Sequence, residues 1–416
     1  MGGKMEPKYR ILSLDGGGTW SLIQIMALRK LFPDGRKGRA ILEEFDLVAA
    51  NSGGSFVLGG LLEDLTLDEL FNYFEDQTKR EAIFSPNNSL FYRVLRAIAR
   101  VGPKHSSQAK LHAIKSFLPN RGGVSLQQAA LGIRRSSKDI HLLIVGFDYD
   151  RNVAAFFRSA PVGKSRPQVR PAGQVQAAAW GNGAPASVTL AEAIHASSNA
   201  PVNYFDLPAD FPPHEQRYWD GGITGCNNPI VAAVTEALVL GTKPSDIAAL
   251  SIGTGTVSLL WPQQGQTSPF YNTLIQRGLQ DYKQLRADVL KLATSILDDP
   301  PDIATFLAHV MTGGGEGVIA PADSRIVRLS PLVSPIKVQN EWQAPGGWTP
   351  ERFAYLANLD IDIVEQEQVD TLTDYAQLWI DDKALNQPIR RNLTTLSVEL
   401  GFDSFSDAAA AWQAIR

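Results

Sequence analysis

Apolar and polar positions along the chain form short blocks that predict strands alternating with helices. The apolar run Tyr9 to Leu14 predicts a buried strand, and the spacing of apolar residues from Thr19 to Phe32 fits a helix buried on most sides. Phe45 to Ala50 predicts a second strand, followed by a helix that ends near Leu62. Small residues join each of these strands to its helix.

The same pattern continues through the middle of the chain. Thr66 to Glu69 reads as a capping box and predicts a helix through about Ala82, and a further helix is expected near Leu90. Residues 161–190 are rich in Pro, Gly, Ala and Gln and predict a long loop. The other expected elements are the strands Ile140–Val145, Val153–Phe157 and Ile247–Ile252 and the helices Leu190–Ser198 and Ile230–Leu240.

Strands that alternate with helices favour an α/β fold with a mostly parallel central sheet. In such sheets the functional site lies at the carboxyl ends of the strands. Four glycine-rich turns fall at strand ends and can therefore converge at one edge of the sheet. These turns are Asp15–Gly18, Ala50–Gly54, Asp220–Gly222 and Gly253–Gly255.

The chain has 416 residues, which is long for one hydrophobic core, so we expect one large domain with an appended lobe. We place the domain at residues 5–335 and a mostly helical extension, packed on it, at 336–416. The single cysteine, Cys226, excludes an intrachain disulfide and suits a reducing compartment. The sequence has no run of 18 apolar residues and no apolar signal-peptide core. We therefore expect a cytoplasmic protein, which leaves open peripheral membrane contact and secretion without a signal peptide.

The net charge of −4 hides an uneven distribution. Residues 82–138 contain ten basic side chains and no acidic one, so the rest of the chain carries −14 (−4 − 10). This charge predicts contact with anionic membrane headgroups rather than with nucleic acid, because no nucleic-acid-binding motif accompanies it. The ten residues are Arg93, Arg96, Arg100, Lys104, Lys110, Lys115, Arg121, Arg134, Arg135 and Lys138.

Ser52 is the strongest candidate for a catalytic residue. It stands between a predicted strand and a predicted helix, where a sharp turn exposes the hydroxyl beside the N–H groups that open the helix. A serine at such a place is most often only a helix N-cap. The catalytic interpretation therefore depends on the other turns at the same sheet edge.

Those turns supply the other parts of an acyl-transfer site. Backbone N–H groups of a glycine-rich loop can hold an oxyanion, and the N–H after the nucleophile is a second kind of donor. Asp220 is the candidate base, since none of the six histidines lies in a glycine-rich turn at a strand end. We expect His195 and His214 to be structural. The candidate oxyanion donors are Gly16, Gly17, Gly18 and Gly53.

In this order and spacing the motifs resemble those of the patatin-like phospholipases. That family combines an Asp-Gly-Gly-Gly loop, a Gly-x-Ser-x-Gly elbow and an Asp-Gly-Gly/Ala turn in a Ser–Asp dyad. The resemblance covers roughly residues 9–335. It implies a three-layer α/β/α fold with a C-terminal helical segment, Ser52 as nucleophile and Asp220 as base. The supporting segments are Ala193–Pro201, Asn227–Pro229 and Ser251–Gly255.

Two positions depart from the family pattern. Ala50 replaces the first glycine of the elbow, and Trp20 lies where the family usually has an arginine after the glycine loop. These departures leave open a catalytically silent, lipid-binding protein. A second alternative is a nucleotide-binding kinase or ATPase of the actin-like fold, whose phosphate loop resembles Leu14–Thr19.

Together these features predict a serine lipid acyl hydrolase, of the phospholipase A or lysophospholipase type. It would cleave carboxylic esters of membrane lipids through Ser52, Asp220 and an acyl-enzyme. No metal or organic cofactor is expected. The oligomeric state stays open.

Overall fold

The structure is a computed structural model of the chain. The structure describes residues 9–87, 89, 102–160, 188–211, 216–258, 301–314, 324–339, 341–392 and 397–416. The predicted helix near Leu90 and most of the predicted loop 161–190 lie outside these ranges.

A central sheet organises the molecule. The strands of the described residues are β1 (Tyr9–Leu14), β2 (Leu47–Ala50), β3 (His141–Asp148), β4 (Val153–Arg158), β5 (Ala209–Phe211), β6 (Gln216–Asp220), β7 (Ile247–Ile252), β8 (Thr256–Val257), β9 (Ile326–Leu329), β10 (Leu332–Val333), β11 (Ile336–Val338), β12 (Glu341–Gln343), β13 (Arg390–Arg391) and β14 (Val398–Leu400). Eight of these form the central sheet, in the order β5-β6-β3-β2-β1-β7-β9 with β4 also paired to β3. The other six form three short two-stranded pairs.

The centre of the sheet is parallel, as the sequence predicts. Neighbouring strands run parallel from β3 through β2, β1 and β7 to β9. The other edge is antiparallel, because β4 and β6 both run against β3 and β5 runs against β6. The predicted mostly parallel α/β sheet is confirmed, with an antiparallel edge that the hydrophobic pattern does not reveal.

Helices cover both faces of the sheet. Successive residues of β1 point to opposite faces, so that Ile11 packs in one hydrophobic cluster and Leu12 and Leu14 pack in the other. The helices are Leu22–Leu31, Gly38–Leu42, Ser52–Leu62, Leu67–Glu75, Gln77–Ile83, Ser107–Phe117, Leu126–Ala130, Leu190–Ser197, Ile230–Val239, Pro301–Met311, Pro350–Ala357, Gln366–Ile380 and Phe405–Ile415.

The prediction of one continuous helix from Thr66 to Ala82 is wrong. Thr66 does form the capping box with Glu69, but the chain then breaks at Asp76 into two helices. Asp76 has an extended backbone, and its side chain accepts the N–H groups of Thr78 and Lys79 at the start of the second helix. The side-chain cap therefore competes with continuation of the first helix.

The C-terminal region contributes to the same core as the sheet. Trp412 stacks on Phe45 with ring centroids 5.9 Å apart, and Trp379 meets Phe405 edge-on at 4.8 Å. Two short antiparallel strand pairs accompany its helices among the described residues: β11–β12 before Pro350–Ala357, and β13–β14 between Gln366–Ile380 and Phe405–Ile415.

Candidate active site

Ser52 directly follows β2 with a strained backbone. Its φ of 46° lies in the left-handed region, which a serine rarely occupies, and its N–H donates to the Ser197 hydroxyl at 2.9 Å. The helix Ser52–Leu62 begins at this residue. This is the tight strand-to-helix turn expected of a nucleophile elbow, with Ala50 accommodated as the last residue of β2.

Asp220 is the last residue of β6, which runs antiparallel to β3, whereas β2 runs parallel to β3. Along β3, Ala50 pairs with Ile144 and Asp220 pairs with Gly146, two residues further on. Ser52 is likewise two residues beyond Ala50, so the two candidate residues meet across the extended end of β3. The antiparallel β6 therefore brings its last residue to the edge where β2 ends.

The two side chains lie side by side. The Ser52 side chain is close enough to the Asp220 carboxylate to lower the pKa of that carboxylate, which accepts the Gly222 N–H at 2.8 Å and the Asn51 amide at 3.4 Å. Asp220 is only 2% exposed. Burial raises the pKa of Asp220 above its ordinary value, and the charge of Lys110 and these hydrogen bonds only partly offset the effect. A raised pKa makes the carboxylate a better proton acceptor than an exposed aspartate.

The glycine loop after β1 lies beside Ser52, but its N–H groups are not equivalent. The Gly16 N–H donates to the Asn227 carbonyl at 2.9 Å, so it is not free to bind an oxyanion. In the part of the chain that the structure describes, the N–H groups of Gly17, Gly18 and Gly53 make no hydrogen bond to a backbone carbonyl outside the helices and strands. Those three N–H groups therefore remain the better candidate donors, and the oxyanion role of the loop stays a prediction.

Asp15 is held in a buried ion pair. Its carboxylate lies 2.6 Å from the Arg328 guanidinium, and both side chains are 2% exposed. Arg328 also donates to the Ser251 hydroxyl at 2.8 Å. Burial raises the pKa of Asp15, against the lowering effect of Arg328. The pair joins the glycine loop after β1 to the edge strand β9 and gives Asp15 a structural setting.

A narrow, mostly apolar cavity opens beside the Ser52 side chain. Gly18 and Gly53 line it at the candidate oxyanion donors, and aromatic and aliphatic side chains line most of the rest. Its apolar members are Phe56, Tyr73, Phe74, Ile83, Phe84, Ala200, Tyr204, Phe205 and Ile361. Walls of this kind are common in ligand pockets, where they bury the apolar part of a ligand.

Lys110 is the unusual member of this wall. It is 1% exposed, and its ammonium lies 3.9 Å from the centre of the Phe205 ring, 3.4 Å from the His195 carbonyl and 3.3 Å from the Ser198 hydroxyl. Burial lowers the pKa of Lys110 well below its ordinary value, although the charge of Asp220 opposes the shift.

The described histidines take no part in the Ser52–Asp220 contact. His195 is buried, and its ring lies 3.3 Å from the Ser107 hydroxyl. Burial and the charge of Lys110 lower the pKa of His195 well below its ordinary value. His214 lies outside the described residues.

Sequence reasoning missed two side chains that orient the pair. The side-chain amide of Asn51 donates to Asp220, and the Ser197 hydroxyl donates to Asn51 Oδ1 at 3.3 Å while it accepts the N–H of Ser52. Ser197 falls in the segment Ala193–Pro201 that the resemblance singles out. Lys110 carried no signal, because nothing in the sequence distinguishes a buried lysine from the other basic residues around it.

The basic region 82–138 presents less free charge than its composition suggests. Lys104 pairs with Asp360 and Asp362, Arg134 with Asp139, and Arg135 with Asp46. Lys110 is buried, and the three arginines of the predicted helix lie outside the described residues. An acid-free window in sequence is therefore partly neutralised by acids that are distant in sequence, and membrane contact stays a prediction.

Two further searches cover the described ranges only. No group of three or more His, Cys, Asp or Glu side chains is placed to hold a metal ion there. Nor does any helix within those ranges have the length and apolar character needed to cross a membrane.

Two curated proteins are similar in sequence. "Protein teg" of Priestia megaterium is 34% identical over 70 residues, which are 17% of this chain and 21% of that protein. "Putative sporulation hydrolase CotR" of Bacillus subtilis is 26% identical over 251 residues, or 60% of this chain and 63% of that protein. The chain thus aligns with less than two thirds of either relative.

Solved structures give weaker likenesses. VipD from Legionella pneumophila matches 88% of this chain and 67% of its own, at 9% identity and a TM-score of 0.33. Human GIVD cytosolic phospholipase A2, in complex with methyl gamma-linolenyl fluorophosphonate, matches 36% of this chain and 22% of its own, at 17% identity and a TM-score of 0.23. These scores carry no argument, so the family rests on sequence.

A family model decides the assignment. The model described as "Patatin-like phospholipase" matches residues 12–234, which is more than half of the chain and includes the glycine loop, the elbow and the Asp220 turn. The actin-like alternative is thereby set aside. The chain belongs to the patatin-like phospholipase family.

Proposed function

We propose that the protein is a serine acyl hydrolase that cleaves carboxylic ester bonds of lipids through Ser52 and Asp220. The observation that carries the proposal is the placement of the Ser52 side chain against the buried Asp220 carboxylate, at a strained turn beside the glycine loop. Nucleophile, base and oxyanion site are the three parts that acyl transfer needs.

The reaction would proceed in two displacements. Ser52 Oγ attacks the ester carbonyl carbon while Asp220 takes its proton, and the carbonyl oxygen becomes an oxyanion facing the N–H groups of Gly17, Gly18 and Gly53. Collapse of this intermediate breaks the ester bond, and the departing alcohol takes the proton from Asp220. Water then attacks the acyl-enzyme by the same route and releases a fatty acid.

The cavity supports a lipid as the substrate class. Its apolar side chains lie beside Ser52, so an acyl chain bound there would have its carbonyl carbon at the nucleophile. Phospholipase A or lysophospholipase activity is the specific form that we propose. Anionic headgroups would meet the protein outside this cavity, where basic residues of the region 82–138 such as Lys115 and Lys138 are exposed.

A fluorophosphonate probe tests the nucleophile directly. We expect the wild-type protein to be labelled and Ser52→Ala not to be, with hydrolysis of a short-chain ester reduced to near background. The matched control is Ser116→Ala, which removes an exposed hydroxyl that bonds only the His112 carbonyl in its own helix. Labelling that survives in Ser52→Ala would refute the assignment, and a folded but unlabelled wild type would favour the catalytically silent alternative.

The base requires a separate variant. Asp220→Asn keeps the size of the side chain and can still accept the Gly222 N–H, but it cannot hold a proton from Ser52. We expect both ester hydrolysis and the rate of probe labelling to fall to near background. Substantial hydrolysis by Asp220→Asn would rule out the Ser–Asp dyad.

A further inference from the structure

A segment from the C-terminal region, residues 359–364, crosses the end of the glycine loop. Its carbonyl groups accept three hydrogen bonds, from the Thr19 N–H at 2.9 Å, the Thr19 hydroxyl at 2.9 Å and the Trp20 indole at 3.0 Å. The acceptors are the carbonyls of Ile361, Ile363 and Asp360, respectively.

Gly18 shows how close the approach is. A Cβ atom at this position would lie 2.2 Å from the Ile361 carbonyl oxygen, and the φ of Gly18 is +55°. Only glycine satisfies both the spacing and the backbone conformation. Ile361 also lines the cavity beside Ser52, so the segment lies against the site as well as against the loop.

Polar contacts also fix this segment to Lys104, His105 and Tyr204. The Asp362 carboxylate lies 2.7 Å from His105 Nε2 and 3.0 Å from the Lys104 ammonium. The Asp360 carboxylate accepts the Tyr204 hydroxyl at 2.6 Å and lies 2.9 Å from the same ammonium. The segment is therefore held on one side by the glycine loop and on the other by charged groups near the cavity.

The location of these contacts gives them a functional meaning. Thr19 and Trp20 directly follow the candidate donors Gly17 and Gly18, and every side-chain donor of these two residues goes to the segment. An oxyanion site depends on N–H groups whose direction is fixed before the reaction, and a loss of one donor costs about 10²–10³ in kcat. Three hydrogen bonds at the end of a four-residue glycine loop restrict that direction.

We propose that residues 359–364 are a positioning segment, which holds the glycine loop so that the N–H groups of Gly17 and Gly18 face the oxyanion. The proposal rests on the acyl hydrolase function proposed above. It assigns a role in catalysis to a segment that lies more than one hundred residues beyond the part of the chain matched by the family model. The same contacts would order the glycine loop Asp15–Gly18, although Trp20 stands where the family motif usually has an arginine.

Thr19 offers an isosteric test. Thr19→Val removes the hydroxyl donor to Ile363 at constant shape, and Thr19→Ser restores a hydroxyl. For a short-chain ester we expect Thr19→Val to lower kcat about ten-fold, less than the loss of a whole oxyanion donor. KM and Tm should change little, and the rate of fluorophosphonate labelling should fall in parallel with kcat. Thr19→Ser should recover most of both rates.

A control variant separates positioning from stability. Tyr375→Phe removes a buried hydroxyl that donates to the Leu332 carbonyl at 2.9 Å elsewhere in the C-terminal region. It should lower Tm with kcat unchanged. If Thr19→Val misfolds, Trp20→Phe removes the indole donor to Asp360 and tests the same contact.

The outcomes are distinct. An active wild type with unchanged kcat in both Thr19→Val and Trp20→Phe would overturn the inference and leave the proposed function intact. A fall in Tm that accounts for the fall in kcat, without recovery in Thr19→Ser, would also overturn it, since the contact would then be only structural. A wild type that is neither labelled nor active would refute the proposed function, and the inference with it.

Discussion

Replacement of Lys110 by methionine is expected to stabilise the protein and to impair its activity near neutral pH. The ammonium is almost fully buried, and among the described residues no carboxylate lies within 4.0 Å of it. Its contacts are the His195 carbonyl, the Ser198 hydroxyl and the face of Phe205. Methionine has a similar length and no charge to desolvate.

The stability change follows from the cost of a buried charge. Replacing a buried ion pair by well-packed apolar residues of similar volume is often neutral or stabilising by about 1–4 kcal/mol, and we apply this range to the single buried ammonium of Lys110. With an entropy of unfolding of roughly 2.1 cal/mol/K per residue, 416 residues give roughly 0.9 kcal/mol/K. Each kcal/mol then shifts Tm by about 1 °C, so Lys110→Met should raise Tm by roughly 1–4 °C.

The pH dependence has a definite sign. Because burial lowers the pKa of Lys110 in the folded state, the unfolded chain binds this proton more tightly. The folded wild type is therefore penalised below the unfolded pKa of about 10.4, and the penalty shrinks as the pH rises towards that value. The stability advantage of Lys110→Met should shrink in the same way.

The same charge acts on the candidate base. Lys110 lowers the pKa of Asp220 and so opposes the raising effect of burial. The nearby His195 has its pKa lowered well below the ordinary value by burial and by the charge of Lys110 itself. Removal of the ammonium should raise the pKa of Asp220 and move the acidic limb of the kcat/KM profile to higher pH.

Thermal unfolding and ester hydrolysis, both measured from pH 5 to pH 9, check the two effects together. Lys115→Met is the matched control, since Lys115 lies on the same helix with its side chain exposed and should change Tm and the pH profile little. A lower Tm in Lys110→Met than in the wild type, or an acidic limb that does not move, would refute this account of the buried lysine.

Three further outcomes are expected. Gly54→Ala should unfold at a lower temperature than Gly123→Ala, because the added Cβ would lie 2.5 Å from the Leu14 carbonyl oxygen at the first site and within 4 Å of nothing at the second; equal Tm values would contradict the crowding at the elbow. Asp362→Asn should be less stable than the wild type at pH 7. The difference should disappear as the pH falls through the Asp362 pKa, which the bond to His105 and the charge of Lys104 lower despite burial; a gap that persists at low pH would count against the ion pairs. Replacing Arg93, Arg96 and Arg100 of the predicted basic helix by neutral residues should weaken binding to anionic vesicles in a salt-dependent way. Unchanged binding would end the membrane hypothesis.

The elbow could be predicted because its requirements are local. An apolar strand, small residues and the start of a helix are neighbours in sequence here and favour a sharp turn at the serine, although the same pattern also fits a simple helix N-cap. The meeting of Ser52 with Asp220 was inferred from convergence of strand ends in a parallel sheet. In the structure the proximity of the two residues depends instead on β6 running against β3, so the geometric reason was incomplete, and their catalytic roles stay a prediction.

Charge was harder to interpret than fold. Ten basic residues without an acid predict one anion-binding surface. In the fold, however, some of these residues pair with acidic residues that are distant in sequence. Lys104 meets Asp360 and Asp362 more than two hundred and fifty residues away, and Arg135 meets Asp46. A window of sequence records which charges are present, whereas their partners are set by the fold.

The contacts at Thr19 and Trp20 show why the C-terminal region could not be understood from its sequence. Two of the three acceptors are carbonyls of isoleucines and the third is the carbonyl of Asp360, and every residue has a carbonyl group, so the acceptors leave no trace in residue type. Trp20 looked like the loss of a charged residue when compared with the family motif. In the fold it is a buried donor to a distant segment. A departure from a motif can therefore mark the place where a chain has moved support for its active site to another part of the molecule.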